Sequence, residues 1–184
     1  QVDQLVQRWL SQRREAIEKL AQTLTDVPYQ IEVRIGEPAK EIVAFADERQ
    51  AAALVMSSHG RTGIARLLVG SVTFTVAQRS RQPLVVVRAR VPVPAPNTAV
   101  HLSPVLVPLD GSSLAEETID TTLQLLGHGT EPLDLHLLHV LTDDEQPAEW
   151  ERYLEGVAQR IRSRGYRVDW SLAHGPVAET IAAE

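Results

Sequence analysis

Four short apolar runs set the strongest limit on what this chain can fold into: ALVM (53–56), PLVVVR (83–88), PVLVPLD (104–110) and LDLHLLHV (133–140). Each is too short for a core helix, and none alternates strictly as a half-exposed strand does. Such runs read as strands covered on both faces, which belong to parallel sheets flanked by helices. The stretches between them keep helical spacing. Strands alternating with helices predict an α/β architecture with parallel pairing. ALVM and PLVVV are then neighbours, with the loop between them leaving the carboxyl end of the first.

The other segments complete the order. Residues 4–24 place Leu5, Val6, Trp9, Leu10, Ile17, Leu20 and Leu24 at near-helical spacing. YQIEVRI (29–35) alternates strictly, with Tyr29, Ile31, Val33 and Ile35 on one face, and predicts a half-buried strand. Gly36 and Pro38 end it and open a helix with an apolar stripe of Ile42, Phe45 and Ala46. A helix begins at about Ser71. After PVLVPLD, Ser113 and Glu116 have the spacing of a capping box, and the helix they start has Ala115, Ile119, Leu123 and Leu126 inward. A further helix covers about 147–164. YRVDWSL then alternates again, with Tyr166, Val168, Trp170 and Leu172 inward, and Gly175 precedes another helix.

The chain contains a repeat. YQIEVRIGEPAKEI matches VDWSLAHGPVAETI at a shift of 139 residues, with Gly36 on Gly175 and Ile42 on Ile181. A repeat about one domain long points to tandem units. The expected division is 1–90, a stiff connector at 91–103 carrying Pro92, Pro94 and Pro96, and 104–184. The length of 184 residues allows one ordinary domain or two small ones.

Hydrophobic residues make up 43%, enough for a packed core. Without cysteine there is no disulfide framework, thiolate metal site or thiol nucleophile. No apolar run approaches the roughly 20 residues that span a bilayer, so no membrane partner is expected, and the location expected is cytoplasmic. Net charge is −6 but divided: residues 1–90 carry 13 basic and 9 acidic side chains, the remainder 5 and 15. Between Glu48 and Asp110 no acidic residue occurs, while Arg49, Arg61, Arg66, Arg79, Arg81, Arg88 and Arg90 do. That is either a solvated face or a field that attracts phosphate. Nucleic acid is not expected, since aromatics are 4% and the whole is acidic.

The stretch SSHGRTGIARLLVGSV (57–72) holds three glycines in eleven residues and precedes a helix. Glycine weakens regular structure, so backbone approach is their use here. Gly63 reads as a turn, His59 as a loop-packing residue and Ser71 as a helix cap under any function. Asp110 is either a turn residue before Gly111 or a ligand contact. Trp9, Trp150 and Trp170 read as core or interface. His128, His136 and His139 have no companion at metal-ligand spacing. No Walker lysine, GxSxG or HExxH motif occurs.

VLVPLDGSSLAEET and VMSSHGRTGIARLLVGSV together resemble the universal stress protein family, specifically its tandem two-domain members. The second stretch is similar to the family signature of Gly, two residues, Gly, nine residues, Gly and Ser. Gly60, residues 61–69, Gly70 and Ser71 fit, while Ser57 stands where the signature has its first glycine. The resemblance implies a Rossmann-like open parallel sheet of strand order 3-2-1-4-5, here as two partial repeats. The first runs from a unit's second helix to its fifth strand, the second from its first strand to the start of its third helix. Three arrangements follow: the absent strands lie in residues outside this sequence, another chain supplies them, or PVLVPLD and LDLHLLHV insert beside ALVM to complete one sheet.

The resemblance also implies an adenine-nucleotide site. Gly60, Gly70, Ser71 and Val72 would hold triphosphate and ribose, Met56 and Ser57 would border the adenosine, and Pro108, Asp110 and Val140 match the adenine contacts. The implied cofactor is ATP, with Mg2+ as an optional companion, in a stress-response or signalling module. The alternative is a family member that binds no nucleotide and acts as a dimeric scaffold. No residue pair reads as a general base with a metal carboxylate, so no enzyme is expected, a slow ATPase being left open. The implied pairing strand is 83–88, joining two copies as a homodimer or two units as an intramolecular pseudo-dimer.

Overall fold

The computed structural model describes residues 2–23, 28–58, 70–87, 102–127 and 133–184. The chain divides into two compact units, Gln1–Thr98 and Ala99–Glu184. The first holds helix α1 (Val2–Ala21), helix α2 (Pro38–Arg49), strand β1 (Leu54–Ser57), helix α3 (Ser71–Arg79) and strand β2 (Leu84–Val87). The second holds β3 (Val105–Pro108), α4 (Ser113–Leu126), β4 (Asp134–Leu141), α5 (Pro147–Arg162), β5 (Arg167–His174) and α6 (Val177–Ala183).

The α/β class and parallel pairing follow the apolar runs. β1 and β2 pair in parallel, with Leu54 opposite Leu84 and Ser57 opposite Val87. β4 lies between β3 and β5, parallel to both, with Val107 opposite Leu137 and Leu137 opposite Trp170. The described strands therefore form two sheets, not the single composite sheet in which Val107 would pair with residues 53–56.

The second unit owns a real core. Val107, Leu109, Ile119, Leu123, Leu135, Leu137, Leu154, Val157, Ala158 and Ile161 are buried together, with Tyr166, Val168, Trp170 and Leu172 packed against them. Helices α4 and α5 thus cover one face of the sheet. The alternate residues Leu138 and Val140 point to the other face and are buried as well, and α6 packs against β4 and β5.

The first unit differs. Its buried side chains among the described residues are small: Ala21, Ala39, Ala46, Ser58, Thr73 and Val76. The expectation that ALVM is covered on both faces fails, since Val55 is 69% exposed. Residues 29–35, expected as a strand, form no regular secondary structure and pair with none of the described strands. Alternation sets a side-chain preference, and without a neighbouring ladder it does not make a strand. Helix α1 forms as its spacing predicts, yet Leu5, Trp9, Ile17 and Leu20 are exposed. In α2, Phe45 is only half-buried, and Arg34 and Arg49 lie over its ring at 4.5 and 5.2 Å.

Two helix starts also shift by one residue. Gly70, not Ser71, is the N-cap of α3. Ser112, not Ser113, caps α4, accepting from Ala115 N at 3.1 Å. Glu116 bonds Tyr153 and Arg160 rather than closing a capping box.

Candidate functional site

In the first unit the site lies where β1 hands the chain to α3. Ser58 N donates to Val87 O at 2.8 Å, continuing the ladder one residue past β1. Gly70 N donates to Ser58 O at 2.7 Å, which sets the start of α3 beside the end of β1. Thr73 Oγ1 donates to Ser57 O at 3.1 Å and fastens the first turn of α3 to the strand end. Ser58 and Thr73 are both buried. Gly70 has extended backbone and gives α3 no side-chain cap. The first turn of α3 therefore presents main-chain N–H groups and the positive end of the helix dipole at the carboxyl end of a parallel strand.

Met56 is half-buried in β1, and Ser57 ends that strand. Ser71 and Val72 are the first two residues of α3. These four and Gly70 are thus brought to one end of the β1–β2 sheet. Gly60, Gly63, His59, Arg61 and Arg66 lie outside the described residues, as do Arg88, Arg90 and His128. Of the remaining arginines, Arg79 approaches Glu37 at 3.8 Å.

In the second unit Pro108, Asp110 and Val140 gather at the carboxyl ends of β3 and β4. Pro108 and Asp110 are exposed, Val140 buried. Asp110 Oδ1 accepts from Ser112 Oγ at 2.6 Å and from Ser112 N at 2.9 Å. The Ser112 hydroxyl, then its N–H, hold the Asp110 carboxyl below the usual aspartate range. Gly111, between them, has φ +78°, a conformation that favours glycine. A Cβ there would lie 3.0 Å from the Trp150 ring.

Behind this loop is a cluster that sequence spacing did not reveal. His139 is buried and stacks on Trp150 with ring centres 3.4 Å apart and planes 12° from parallel. Its Nδ1 faces Leu109 O at 2.8 Å and its Nε2 faces Glu145 Oε2 at 3.3 Å. Glu145 Oε2 also accepts from Thr142 N at 2.7 Å and Thr142 Oγ1 at 2.9 Å. The Thr142 main-chain N–H, then its hydroxyl, keep the Glu145 carboxyl below its ordinary range. Trp150 meets Tyr153 edge-on, and burial together with the bond to Glu116 pushes the Tyr153 phenol up. The signal in the sequence was Trp150 near the start of a helix that follows a buried histidine, legible only once α5 is folded over β4.

His136 also gains partners. Asp169 Oδ1 and Ser171 Oγ lie 2.6 and 2.8 Å from its ring nitrogens. This trio sits toward the amino end of β4, away from Val140 along the strand. Among the described residues no group of three His, Asp or Glu side chains is arranged to hold a metal ion.

Residues 2–88, which include the β1–α3 junction and its glycine spacing, match the model of the universal stress protein family. That stretch, a little under half of the chain, is similar to the universal stress proteins. Two universal stress proteins of Methanocaldococcus jannaschii are similar to it. One is 29% identical over 90 residues, covering 48% of this chain and 56% of its own. The other is 36% identical over 77 residues, covering 41% and 45%. The chain thus spans about half the length of these curated relatives. The crystal structure of a universal stress protein from Archaeoglobus fulgidus superposes with a TM-score of 0.75, covering 99% of this chain and 65% of that one at 21% identity. At that identity the likeness supports the Rossmann-like α/β fold. Among the described residues no helix is long and apolar enough to cross a membrane.

Proposed function

We propose that this chain is a universal stress protein that works as an adenine-nucleotide-binding stress-response or signalling module, with ATP as its ligand and Mg2+ as an optional companion. The observation that carries the reading is the uncapped start of α3, pinned at the carboxyl end of β1 by the 2.7 Å bond from Gly70 N to Ser58 O. Such a helix start is suited to phosphate, and open α/β sheets take ligands at that end. In this reading Gly60, Gly70, Ser71 and Val72 serve triphosphate and ribose, and Met56 and Ser57 border the adenosine. Pro108, Asp110 and Val140 serve the adenine end of the second unit's site. The chain works as a binding module in the cytoplasm rather than as an enzyme. Calorimetric titration with ATP tests this. Gly70→Val, which sets a branched side chain at the phosphate end, should abolish binding while the fold is kept. Wild-type protein that binds no ATP at millimolar concentration overturns the reading.

A second reading has one observation in its favour. Val85, Val86 and Val87 in β2 are 43%, 40% and 50% exposed, and an exposed apolar strand invites pairing. The protein then acts as a scaffold through 83–88, without nucleotide. Val86→Lys should lower the mass in solution, and an unchanged mass at low concentration counts against it.

A further inference from the structure

Asp110 is held by its own loop through one oxygen. Ser112 N and Ser112 Oγ both donate to Oδ1, at 2.9 and 2.6 Å. That leaves Oδ2 of an exposed carboxylate to accept from a ligand. Where Oδ2 points depends on the turn that carries it, residues 109–112 between β3 and α4. The two bonds from Ser112 tie the carboxylate to the turn. They do not tie the turn to the body of the unit.

Helix α5 supplies that tie. Trp150, in its first turn, sits against Gly111, where a Cβ would lie 3.0 Å from Cη2 and 3.3 Å from Cζ3 of the indole. The turn therefore rests on the edge of the ring, at a distance that suits glycine. The ring is itself held. It stacks on the buried His139 with ring centres 3.4 Å apart. Tyr153 meets it edge-on at 5.5 Å, and the Tyr153 hydroxyl donates to Glu116 Oε1 at 2.9 Å in the first turn of α4. Trp150 and Tyr153 are three residues apart and share one face of α5. Together they reach the turn at Gly111 and the helix start at Glu116. Rigid rings with few rotatable bonds lose little freedom in such contacts, and their stacked and edge-on pairing is directional.

We propose that Trp150 is a positioning residue for Asp110: its ring edge, set against Gly111, holds the β3–α4 turn in the direction that points Asp110 Oδ2 at an exocyclic amine of the ligand base. Helix α5 thereby takes part in a site whose other members come from strand ends. The effect on the base rests on the proposed adenine-nucleotide binding, whereas the order of the turn does not. Trp150 acts through Asp110 and makes no ligand contact in this role. Without its ring the carboxylate stays at the site but is aimed over a range of directions. What is lost is then the share of affinity that the amine supplies, and the other contacts to the ligand are kept.

Two measurements on the whole chain decide it. Amide hydrogen exchange reads the turn. Ser112 N is bonded to Asp110 Oδ1 and Ala115 N to Ser112 Oγ. In Trp150→Leu both should exchange about tenfold faster than in the wild type, while the ladder amides of β4 and β5 keep their rates. Unchanged exchange at Ser112 and Ala115 in folded Trp150→Leu overturns the proposal. NMR titration reads the base, with adenosine against purine riboside, which differs in lacking the exocyclic amine. The wild type should prefer adenosine about tenfold, the worth of roughly one charge-assisted bond. Trp150→Leu should bring that ratio near one by weakening adenosine and leaving purine riboside unchanged. Trp150→Phe, which keeps a ring at the same place, should restore most of the preference. Equal weakening of both nucleosides, or a wild-type ratio in folded Trp150→Leu, overturns the positioning role. Equal affinities in the wild type overturn the aiming of Asp110. If Trp150→Leu fails to fold, Gly111→Ala disturbs the same contact from the side of the turn and should lower the ratio, and an unchanged ratio there overturns the proposal. If the wild type binds neither nucleoside, the nucleotide reading fails, and amide exchange still decides whether α5 fixes the turn.

Discussion

Residues 29–35 and 166–172 carry the same alternation, and each leads through a glycine into a helix, yet only the second forms a strand. β5 runs beside β4 through eight register pairs, from Asp134–Arg167 to Leu141–His174. Residues 29–35 form no regular secondary structure, and among the described residues no main-chain bond ties them to another strand. Val168, Trp170 and Leu172 pack on a core, while Tyr29 and Ile35 are 45% and 62% exposed. An alternating sequence states which side each residue prefers. A ladder and a covering layer convert that preference into structure, because an ordered single strand loses chain entropy without main-chain bonds in return.

The largest expected consequence is in amide exchange. The ladder-bonded amides of β5 should exchange on the order of a thousandfold more slowly than those of Ile31, Val33 and Ile35, because core ladders open only with the unit that holds them. Similar rates in the two segments would remove the distinction.

The core difference sharpens it next. Leu137 is fully buried among α4, α5 and the flanking strands. Leu137→Ala should cost about 2–5 kcal/mol in urea unfolding followed by tryptophan fluorescence. Val55, 69% exposed, should tolerate Val55→Ala within about 0.5 kcal/mol. Comparable losses would mean that β1 is as well covered as β4.

The sequence carried the α/β class, the parallel pairs and most helices, because short apolar runs and helical spacing report local preference directly. It carried Asp110 and the Gly70–Ser71 junction for the same reason: glycine and small polar residues mark turns at strand ends. It did not carry the coverage of β1, which depends on neighbours rather than on the run itself. Nor did it carry the anchors Ser58 and Thr73, or the Leu109–His139–Glu145 bridge. Those contacts join positions 30 residues apart in the case of His139 and Leu109, and a spacing rule for metals or caps does not reach across a sheet.

The two turn glycines give a smaller contrast. Gly175 has φ +133°, and a Cβ would sit 2.9 Å from Thr180 Oγ1. Gly175→Ala should cost about 1–3 kcal/mol, the usual cost of a side chain in a sparsely populated conformation. Gly36 has φ +158°, close to extended backbone, and its nearest obstacle is the Glu41 carboxylate at 2.6 Å, the end of a flexible side chain. Gly36→Ala should cost less, and the reverse order would show that the first turn is the more constrained.

The smallest effect separates the two segments by the kind of bond that fixes them. In the second unit Trp170 Nε1 donates to Glu155 Oε2 at 2.8 Å. That indole N–H, then Gln159 and Arg162, hold the Glu155 carboxyl below its ordinary range. In the first, Arg34 Nη1 donates to Glu48 Oε1 at 3.0 Å, and Arg34 holds Glu48 low in the same way. A carboxyl with a lowered folded value contributes stability above its unfolded value, about 4.3 for glutamate. That contribution is lost as pH falls through the folded value. Both pairs are solvent-side, so both contributions are modest. They differ in salt. At about 1 M the screening length is about 3 Å, which weakens an exposed ion pair but leaves a bond from a neutral indole. Acid titrations of stability should therefore lose the Glu48 part of their slope in high salt and keep the Glu155 part. Glu155→Gln should flatten the acid slope equally at low and high salt. Flattening seen only at low salt would mean that Arg162, rather than Trp170, holds Glu155, and that β5 is fixed to α5 by charge, as residues 29–35 are fixed to α2.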